Sequence, residues 1–179
     1  KDVVVGFITG YDFDKIKPWV NSLDACGFTG DKVMICYNVK ADTVQELIKR
    51  KYIVLAFQKD DEGNVTYPKQ QFNIVVERFM HMWLLLKQFR GQYRYIITTD
   101  VKDVIFQKDP FVFMENTNIG RSTNKLIAPS EAMYYKDEPW NRDNLRQAYG
   151  DYFYENLGFK NMQICCCGVI GGTAEYVKD

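Results

Sequence analysis

The chain lacks an excess of charge of either sign, a long apolar run and a basic N-terminal segment. Its 179 residues include 23 Lys or Arg and 23 Asp or Glu, so the formal net charge is zero. A balanced chain has no overall field that attracts nucleic acid or anionic lipid. No apolar run approaches the roughly 20 residues that cross a bilayer. We therefore expect no nucleic-acid partner and no membrane segment within this chain.

Spaced cysteine pairs are also missing. The five cysteines are Cys26, Cys36 and an adjacent triplet at 165–167, and this spacing does not supply the pairs that are typical of zinc sites. We expect the triplet to pack as small buried apolar side chains.

The cysteine pattern also bears on the cellular compartment of the protein. Cysteines without a disulfide framework favour a reducing compartment, which predicts a cytoplasmic protein. The alternative is the Golgi or ER lumen, if an N-terminal anchor precedes the chain. The start shows no signal-peptide pattern, whereas the glycosylation sequon Asn64-Val65-Thr66 is compatible with the lumen.

Apolar patterns in the first half alternate between strands and helices. Unbroken apolar runs predict strands over 3–9, 32–37 and 52–57. A helix is predicted from Phe13 to about Cys26, and Asp42 is expected to cap a second one over 43–49. The inward residues of these helices are predicted to be Ile16, Trp19, Val20, Leu23, Val44, Leu47 and Ile48. This order predicts a parallel sheet with helices on its faces.

The longest helix is predicted after Pro68, and Gly91 ends it. Its buried stripe is expected to comprise Phe72, Val75, Val76, Phe79, Trp83 and Leu86. The only histidine, His81, lies in this helix, and we interpret it as a packed or surface residue rather than a ligand.

In the second half, polar or small residues follow the predicted strands. A short strand at 125–129 is followed by Ser130 and Glu131, and a late strand at 164–170 runs into Gly171-Gly172-Thr173. Open α/β sheets bind ligands where their strands end.

Two carboxylates follow a buried strand predicted from 93 to 99. Asp100 and Asp103 lie three positions apart, and they are costly to desolvate unless something positive neutralises them. Mg²⁺ or Mn²⁺ would do so and would keep coordination positions for phosphate oxygens. The alternative is a solvated acidic turn with Lys102 as its counter-ion.

Three blocks in this order resemble nucleotide-sugar glycosyltransferases of the GT-A type. The blocks are the sequence TDVKDVIF at 99–106, Ser130-Glu131, and CGVIGG at 167–172. The match is closest to families with a D-x-x-D metal motif, including domains related to collagen glucosyl- and galactosyltransferases. The resemblance implies a GT-A, Rossmann-like α/β fold, with a mixed, mostly parallel central sheet flanked by helices. It implies a single domain over 1–179, with a nucleotide-binding half at 1–106 and a sugar and acceptor half at 107–179.

The resemblance also implies a hexosyltransferase-like activity. A sugar would pass from a nucleotide-diphosphate donor, with a UDP-sugar favoured, to a hydroxyl of a glycan or protein acceptor. Asp100 and Asp103 would hold Mn²⁺ or Mg²⁺. The residues expected to bind the donor are Thr9, Tyr11, Arg78, Thr99, Asp100, Lys102, Gly168 and Gly171.

Individual roles follow from this assignment. Tyr11 is expected to stack on the base, because Lys102 stands where some relatives have an aromatic residue. Arg78 would orient the aspartates or reach the diphosphate; the alternative is an ordinary ion pair with Glu77 or another neighbour. Glu131 is the expected catalytic base or sugar-binding group, and its alternative role is a helix or turn cap.

The sequence departs from the family pattern in two places. Cysteines occupy 165–167, where relatives usually place Asn before the glycine. Relatives often supply a third metal ligand, a histidine, from a segment beyond the end of this chain, so either the chain is truncated or water takes that place. These departures leave open the alternative of a catalytically weak GT-A-like domain that binds a sugar nucleotide or a carbohydrate.

Two other enzyme classes fit the sequence less well. A haloacid-dehalogenase-like phosphatase needs D-x-D near its start, and a sugar nucleotidyltransferase needs a glycine-rich basic loop after its first strand. The acidic motif here is spaced D-x-x-D and follows three predicted strands, which does not fit the phosphatase, and the segment Thr9-Gly10-Tyr11-Asp12-Phe13-Asp14 is not a glycine-rich basic loop.

Overall fold

The computed structural model describes residues 1–67, 74–89, 91–116 and 126–178. The chain divides into two units. The first comprises Lys1–Ile127 and Ile170–Asp179, and the second comprises Ala128–Val169. The boundary that the resemblance places at 106 therefore lies inside the first unit.

The first unit contains the alternating strands and helices. In chain order they are β1 (Val3–Thr9), α1 (Phe13–Ala25), β2 (Asp31–Tyr37), α2 (Ala41–Lys49), β3 (Ile53–Ala56), β4 (Gln58–Lys59), β5 (Val65–Thr66), α3 (Ile74–Gln88), β6 (Tyr95–Thr99), α4 (Pro110–Asn116) and β7 (Leu126–Ile127). The second unit holds β8 (Ser130–Tyr134), α5 (Pro139–Tyr149), α6 (Asp151–Asn156), a 3₁₀ turn (Phe159–Asn161) and β9 (Gln163–Cys165). The chain then forms β10 (Val169–Thr173) and α7 (Ala174–Lys178).

A six-stranded central sheet has the strand order β3-β2-β1-β6-β10-β7. β1 pairs in parallel with β2 and with β6, and β2 pairs in parallel with β3. β7 is antiparallel to β10. The mixed α/β class with a mostly parallel sheet and flanking helices is therefore confirmed.

Both faces of this sheet are covered, as continuous apolar strands require. On one face, Val3 and Val5 of β1 belong to a core cluster with Met82 and Leu85 of α3. Because neighbouring strand residues point to opposite faces, the fully buried Val4 faces the other side. α1 buries the residues that its periodicity predicts, Ile16, Trp19, Val20 and Leu23.

The predicted buried stripe of α3 is confirmed only in part: Leu86 is buried, and Phe79 packs partly buried against the core. Val75, Val76 and Trp83 are 40% to 63% exposed, and Phe72 lies outside the described residues. The buried side chains are Glu77, His81, Met82, Leu85 and Leu86. α3 is apolar around most of its circumference, so periodicity cannot select a face. The face that is buried places Met82, Leu85 and Leu86 in the core cluster and brings Glu77 and His81 to polar partners elsewhere in the fold.

The second helix also differs in detail from its prediction. Ile48 is 46% exposed, and Thr43 is buried instead. Asp42 lies in the first turn of α2, where Lys40 occupies the cap position, and its Oδ1 accepts a hydrogen bond from the backbone N–H of Thr43 at 2.6 Å.

The single late strand predicted at 164–170 is two strands in separate sheets. β9 pairs antiparallel with β8, a turn follows at 167–168, and β10 joins the central sheet. The cysteine triplet is consequently not buried: Cys165 and Cys167 are exposed and Cys166 is half-buried. Cys165 is the last residue of β9, whose two-stranded sheet offers little covering surface, and Cys166 and Cys167 lie in the connection to β10. None of the helices formed by the described residues is long and apolar enough to cross a membrane.

Candidate functional site

The direction of the sheet order reverses between β1 and β6. From β1 the chain passes through α1 to β2 on one side, whereas β6 lies on the other side. The crevice at the carboxyl ends of these two strands is therefore a topological switch point, where open α/β sheets bind ligands. Gly6 pairs with Thr99, the last residue of β6, and Asp100 follows directly. The acidic motif thus begins at this crevice.

The bend that carries the two aspartates is fixed by the side chain of Val101. Val101 is buried, and its Cγ1 would lie 2.7 Å from a β-carbon placed on Gly6. Only glycine lets β1 approach this bend so closely, which is one of the reasons for a glycine inside a strand. Glycine within an otherwise apolar strand is the sequence signal that could have revealed this contact.

Further along, the chain is fixed by Phe106. Its backbone N–H donates to Oγ of Ser22 at 3.1 Å, and its ring packs edge-on against Trp19 with 5.5 Å between the ring centroids. Asp100 and Asp103 therefore lie on a segment that is held at both ends by α1 and β1.

Asp100 forms an ion pair with Arg78 of α3, whose Nη1 donates to Oδ1. The Arg78 side chain is 11% exposed and that of Asp100 is 42% exposed. The guanidinium also lies against two rings, 5.7 Å from the centroid of Phe7 and 5.0 Å from that of Phe79. Such stacking suits arginine and preorganises its fork. The sequence suggested two roles for Arg78: contact with the aspartates or the diphosphate, or an ordinary ion pair with Glu77 or another neighbour. The structure shows contact with one of the aspartates, Asp100.

The hydroxyl of Thr99 faces the core rather than the crevice. It accepts a hydrogen bond from Nε1 of Trp19 at 2.7 Å, and Thr99 is 3% exposed. Any contact of Thr99 with a donor would therefore use its backbone.

Two residues at the end of β1 border the crevice. Thr9 is exposed and Tyr11 is half-buried. Gly10 between them has a φ of 64°, which suits glycine, and its N–H donates to the carbonyl of Tyr37 at 3.0 Å. Nζ of Lys15 lies 6.0 Å from the centroid of the Tyr11 ring.

The donor set fits a hard divalent cation. Lys102 and Asp103 are exposed, and the partner of Asp100 is Arg78 rather than Lys102, contrary to the counter-ion alternative. No group of three or more His, Cys, Asp or Glu side chains converges within the described ranges. Mg²⁺ is commonly bound through one or two carboxylates together with substrate phosphates and water. Asp100 and Asp103 supply two carboxylates on one short segment.

The two glycines expected at the donor differ in setting. Gly171 is buried in β10, and a β-carbon there would lie 2.7 Å from Cε of Met114 and 2.9 Å from Cγ1 of Ile97. Close packing against β6 and α4 therefore accounts for this glycine. Gly168 is buried in the turn between β9 and β10, within the second unit.

The sequence suggested that Glu131 lies at the end of a strand of the central sheet. The structure places it elsewhere. It lies within β8 of the second unit and is exposed. β8 pairs with β9, with Ser130 opposite Cys165. This pairing joins segments that are distant in sequence, so the local pattern around Glu131 could not reveal it.

Sequence reasoning missed a buried polar network beside this site. His81 contacts the hydroxyls of Tyr37 and Tyr67, and the hydroxyl of Tyr67 donates to Glu77. The interpretation of His81 as a packed residue is confirmed, since it is 9% exposed.

The chain matches none of the protein-family models in a scan of its sequence. A search of curated proteins finds no significant match either. The fold and the site together define an α/β protein with an acidic crevice at the switch point of its sheet.

Proposed function

We propose that this chain is a metal-dependent glycosyltransferase that binds a nucleotide sugar, with a UDP-sugar favoured, in the crevice between β1 and β6. The observation that carries the proposal is the position of Asp100 and Asp103 at the topological switch point of a mostly parallel sheet. This is where α/β folds of nucleotide-binding proteins hold their ligand. The acceptor would be a hydroxyl of a glycan or protein.

The chemistry requires neutralisation of the diphosphate as the anomeric bond breaks. When bound, Mn²⁺ or Mg²⁺ would supply this as a Lewis acid. Asp100 and Asp103 would provide oxygen ligands, and Arg78 would hold the Asp100 carboxylate in one orientation through its ion pair. Thr9 and Tyr11 would contact the nucleoside from the end of β1, with the Tyr11 ring stacked on the base.

The second candidate is a sugar-nucleotide or carbohydrate-binding domain without useful turnover. It is favoured by the ion pair of Asp100, because Arg78 already supplies a positive charge next to this carboxylate. Mn²⁺-dependent release of free sugar from a sugar nucleotide would distinguish the enzyme from the binding domain.

A thermal-shift panel of UDP-, GDP- and CMP-sugars, each with and without Mn²⁺, tests the proposed function. A ligand that binds the native state raises the melting temperature by mass action. We expect a UDP-sugar to give the largest rise, and we expect Mn²⁺ to increase it. A panel in which no nucleotide sugar shifts the transition with or without Mn²⁺ would contradict the proposal.

Glu131 is proposed to act on the sugar or the acceptor rather than on the nucleotide. Glu131→Gln should therefore preserve UDP affinity but lower transfer and donor hydrolysis by about 10²-fold or more, the scale of losing a positioned acid or base. Measured rates and UDP affinities of the two proteins check this. Exposed Glu155, in α6 of the same unit, provides the control variant Glu155→Gln, which should keep full activity.

Either of two results would remove this role from Glu131. Full activity in Glu131→Gln would make it a structural residue of β8. Loss of UDP affinity would assign it to nucleotide binding.

A further inference from the structure

Four hydrogen-bonding side chains form a continuous chain between β2, the segment after β5 and α3. The hydroxyl of Tyr37 lies 2.8 Å from Nδ1 of His81. The hydroxyl of Tyr67 lies 3.3 Å from Nε2 of His81 and donates to Oε2 of Glu77 at 2.7 Å. Tyr37, Glu77 and His81 are all buried. Buried polar groups of this kind are stable only when each is satisfied.

The donors and acceptors of this network determine where its protons lie. Tyr67 has one hydroxyl proton, and it is used toward Glu77, so the Tyr67 oxygen accepts from His81. That bond requires a proton on Nε2 of His81. Nδ1 is then unprotonated and accepts the hydroxyl proton of Tyr37. In this arrangement His81 is neutral and carries its proton on Nε2.

The surroundings of His81 favour this neutral form. Burial lowers the pKa of His81, and the carboxylate of Glu77 opposes that change. Burial and the bond to Glu77 raise the pKa of Tyr67 to about 12, so its hydroxyl stays protonated. Among the described residues, the titratable groups that face His81 are Tyr37 from β2, Tyr67 from the segment after β5 and Glu77 from α3. Phe57, which follows β3, adds an apolar ring whose centroid lies 4.5 Å from that of His81.

The network and the candidate site share the first two turns of α3. Glu77 and Arg78 are consecutive, and they bind Tyr67 and Asp100 respectively. The buried residues of these two turns are Glu77 and His81, whereas Val75, Val76 and Met80 are about half exposed. Ile74 and Phe79 of these turns pack partly buried against the core cluster, and the polar network adds the buried contacts that fix Glu77 and His81.

We propose that Tyr37, His81, Tyr67 and Glu77 form a positioning network, which holds the start of α3 so that Arg78 reaches Asp100. The proposal rests on the proposed function, because it makes Asp100 part of the ligand site. A protonated His81 can only donate to the Tyr37 oxygen, so acid removes the acceptor of the Tyr37 hydroxyl proton and places a positive charge in a buried site. Ligand affinity at Asp100 should therefore decrease as the pH falls through the range in which His81 titrates.

The first part of the test uses the fact that His81 is the only histidine in the chain. NMR of the full chain labelled with ¹⁵N-histidine gives a single pair of ring signals. We expect the tautomer with the proton on Nε2, and a midpoint below the roughly 6.5 of an unperturbed histidine. A proton on Nδ1, or a midpoint at or above that value, would overturn the assigned network.

The second part compares the wild type with Tyr67→Phe, which keeps the ring and removes only the bridging hydroxyl. At about pH 7.5, Mn²⁺-dependent UDP affinity should be about fivefold weaker in the variant, the usual effect of one hydrogen bond. Nε2 of His81 keeps its proton when the ring is protonated, so its bond to Tyr67 persists and the ratio of affinities should change little as the pH falls. Taking this ratio at each pH cancels the titration of UDP itself.

Tyr52→Phe is the matched control. Its buried hydroxyl binds the carbonyl of Val20 and the carboxylate of Asp24, on the α1 side of the sheet. This variant should lose stability but keep both the UDP affinity and the His81 signals of the wild type.

The outcomes distinguish this proposal from the proposed function. Equal affinities of the wild type and Tyr67→Phe at every pH would overturn the positioning role. Absence of Mn²⁺-dependent UDP binding in the wild type would overturn the proposed function and the positioning role together, and the ring signals would still decide whether the network exists.

Discussion

Replacing Asp100 and Asp103 by Asn should lower the Mn²⁺-dependent part of UDP affinity by about 100-fold or more, because even residues that only support metal ligands cost 10–100-fold when changed. Asn keeps the shape of each side chain and removes the charge on which a hard cation depends. Calorimetric titration of the protein with UDP, in the presence and absence of Mn²⁺, measures this change.

The fold should survive this double replacement. Asp103 is exposed, and Asn at position 100 can still accept a hydrogen bond from Arg78. The single variant Asp103→Asn leaves the ion pair of Arg78 intact, and it should by itself remove most of the effect of Mn²⁺. Loss of affinity in this variant therefore cannot come from a displaced Arg78.

A matched control removes the same amount of charge elsewhere. Asp61 and Glu62 are exposed in the turn between β4 and β5, so Asp61→Asn with Glu62→Gln should leave UDP binding unchanged. Unchanged Mn²⁺-dependent affinity in the Asp100 and Asp103 double variant would falsify the metal site. It would leave the ion pair with Arg78 as the only function of Asp100 that the structure supports.

Gly6→Ala should destabilise the fold by about 1–3 kcal/mol, the usual cost of inserting a methyl group into a packed core. The new β-carbon would lie 2.7 Å from Cγ1 of Val101 and 3.1 Å from Sδ of Met34. Methionine can move aside, but a β-branched valine is stiff at χ1, so the strain falls on the bend that carries Asp100. Urea unfolding measures the change in free energy.

A double-mutant cycle with Val101→Ala isolates this contact. Val101→Ala alone leaves a small cavity and costs stability, but it removes the methyl group with which the new β-carbon at position 6 collides. Gly6→Ala should therefore cost less in the Val101→Ala background than in the wild type. Equal costs in the two backgrounds would show that Val101 is not the obstacle.

Gly27 supplies the control for this cycle. It has a φ of 85°, and a β-carbon added there would have no atom within 4 Å, so Gly27→Ala strains the backbone without a steric clash. Its cost should be the same in the wild type and in the Val101→Ala background. Because Val101 also fixes the aspartates, Gly6→Ala should weaken Mn²⁺-dependent UDP binding as well, whereas Gly27→Ala should not.

The sequence by itself determined the elements whose burial is encoded locally. α1 buries the four residues that its helical spacing predicts. The unbroken apolar runs of β1 and β2 became parallel strands covered on both faces, and Asp100 follows the end of a buried strand as expected. In each case the pattern within one segment is sufficient, because the segment meets a single continuous apolar environment.

Only the tertiary structure decided which side chains meet. Arg78 binds Asp100, 22 positions away, and Trp19 binds Thr99, 80 positions away. The buried face of α3 is the one that meets Tyr37, Tyr67 and the core cluster from other elements.

The same reason explains Glu131 and the late strand. β8 and β9 pair with each other, and β10 joins a different sheet, so neither the setting of Glu131 nor the break at 167–168 is encoded in the neighbouring residues. Periodicity records whether a residue is buried, because burial acts on each side chain separately. Partners across the fold depend on the order of the strands, which no local pattern of this chain contains.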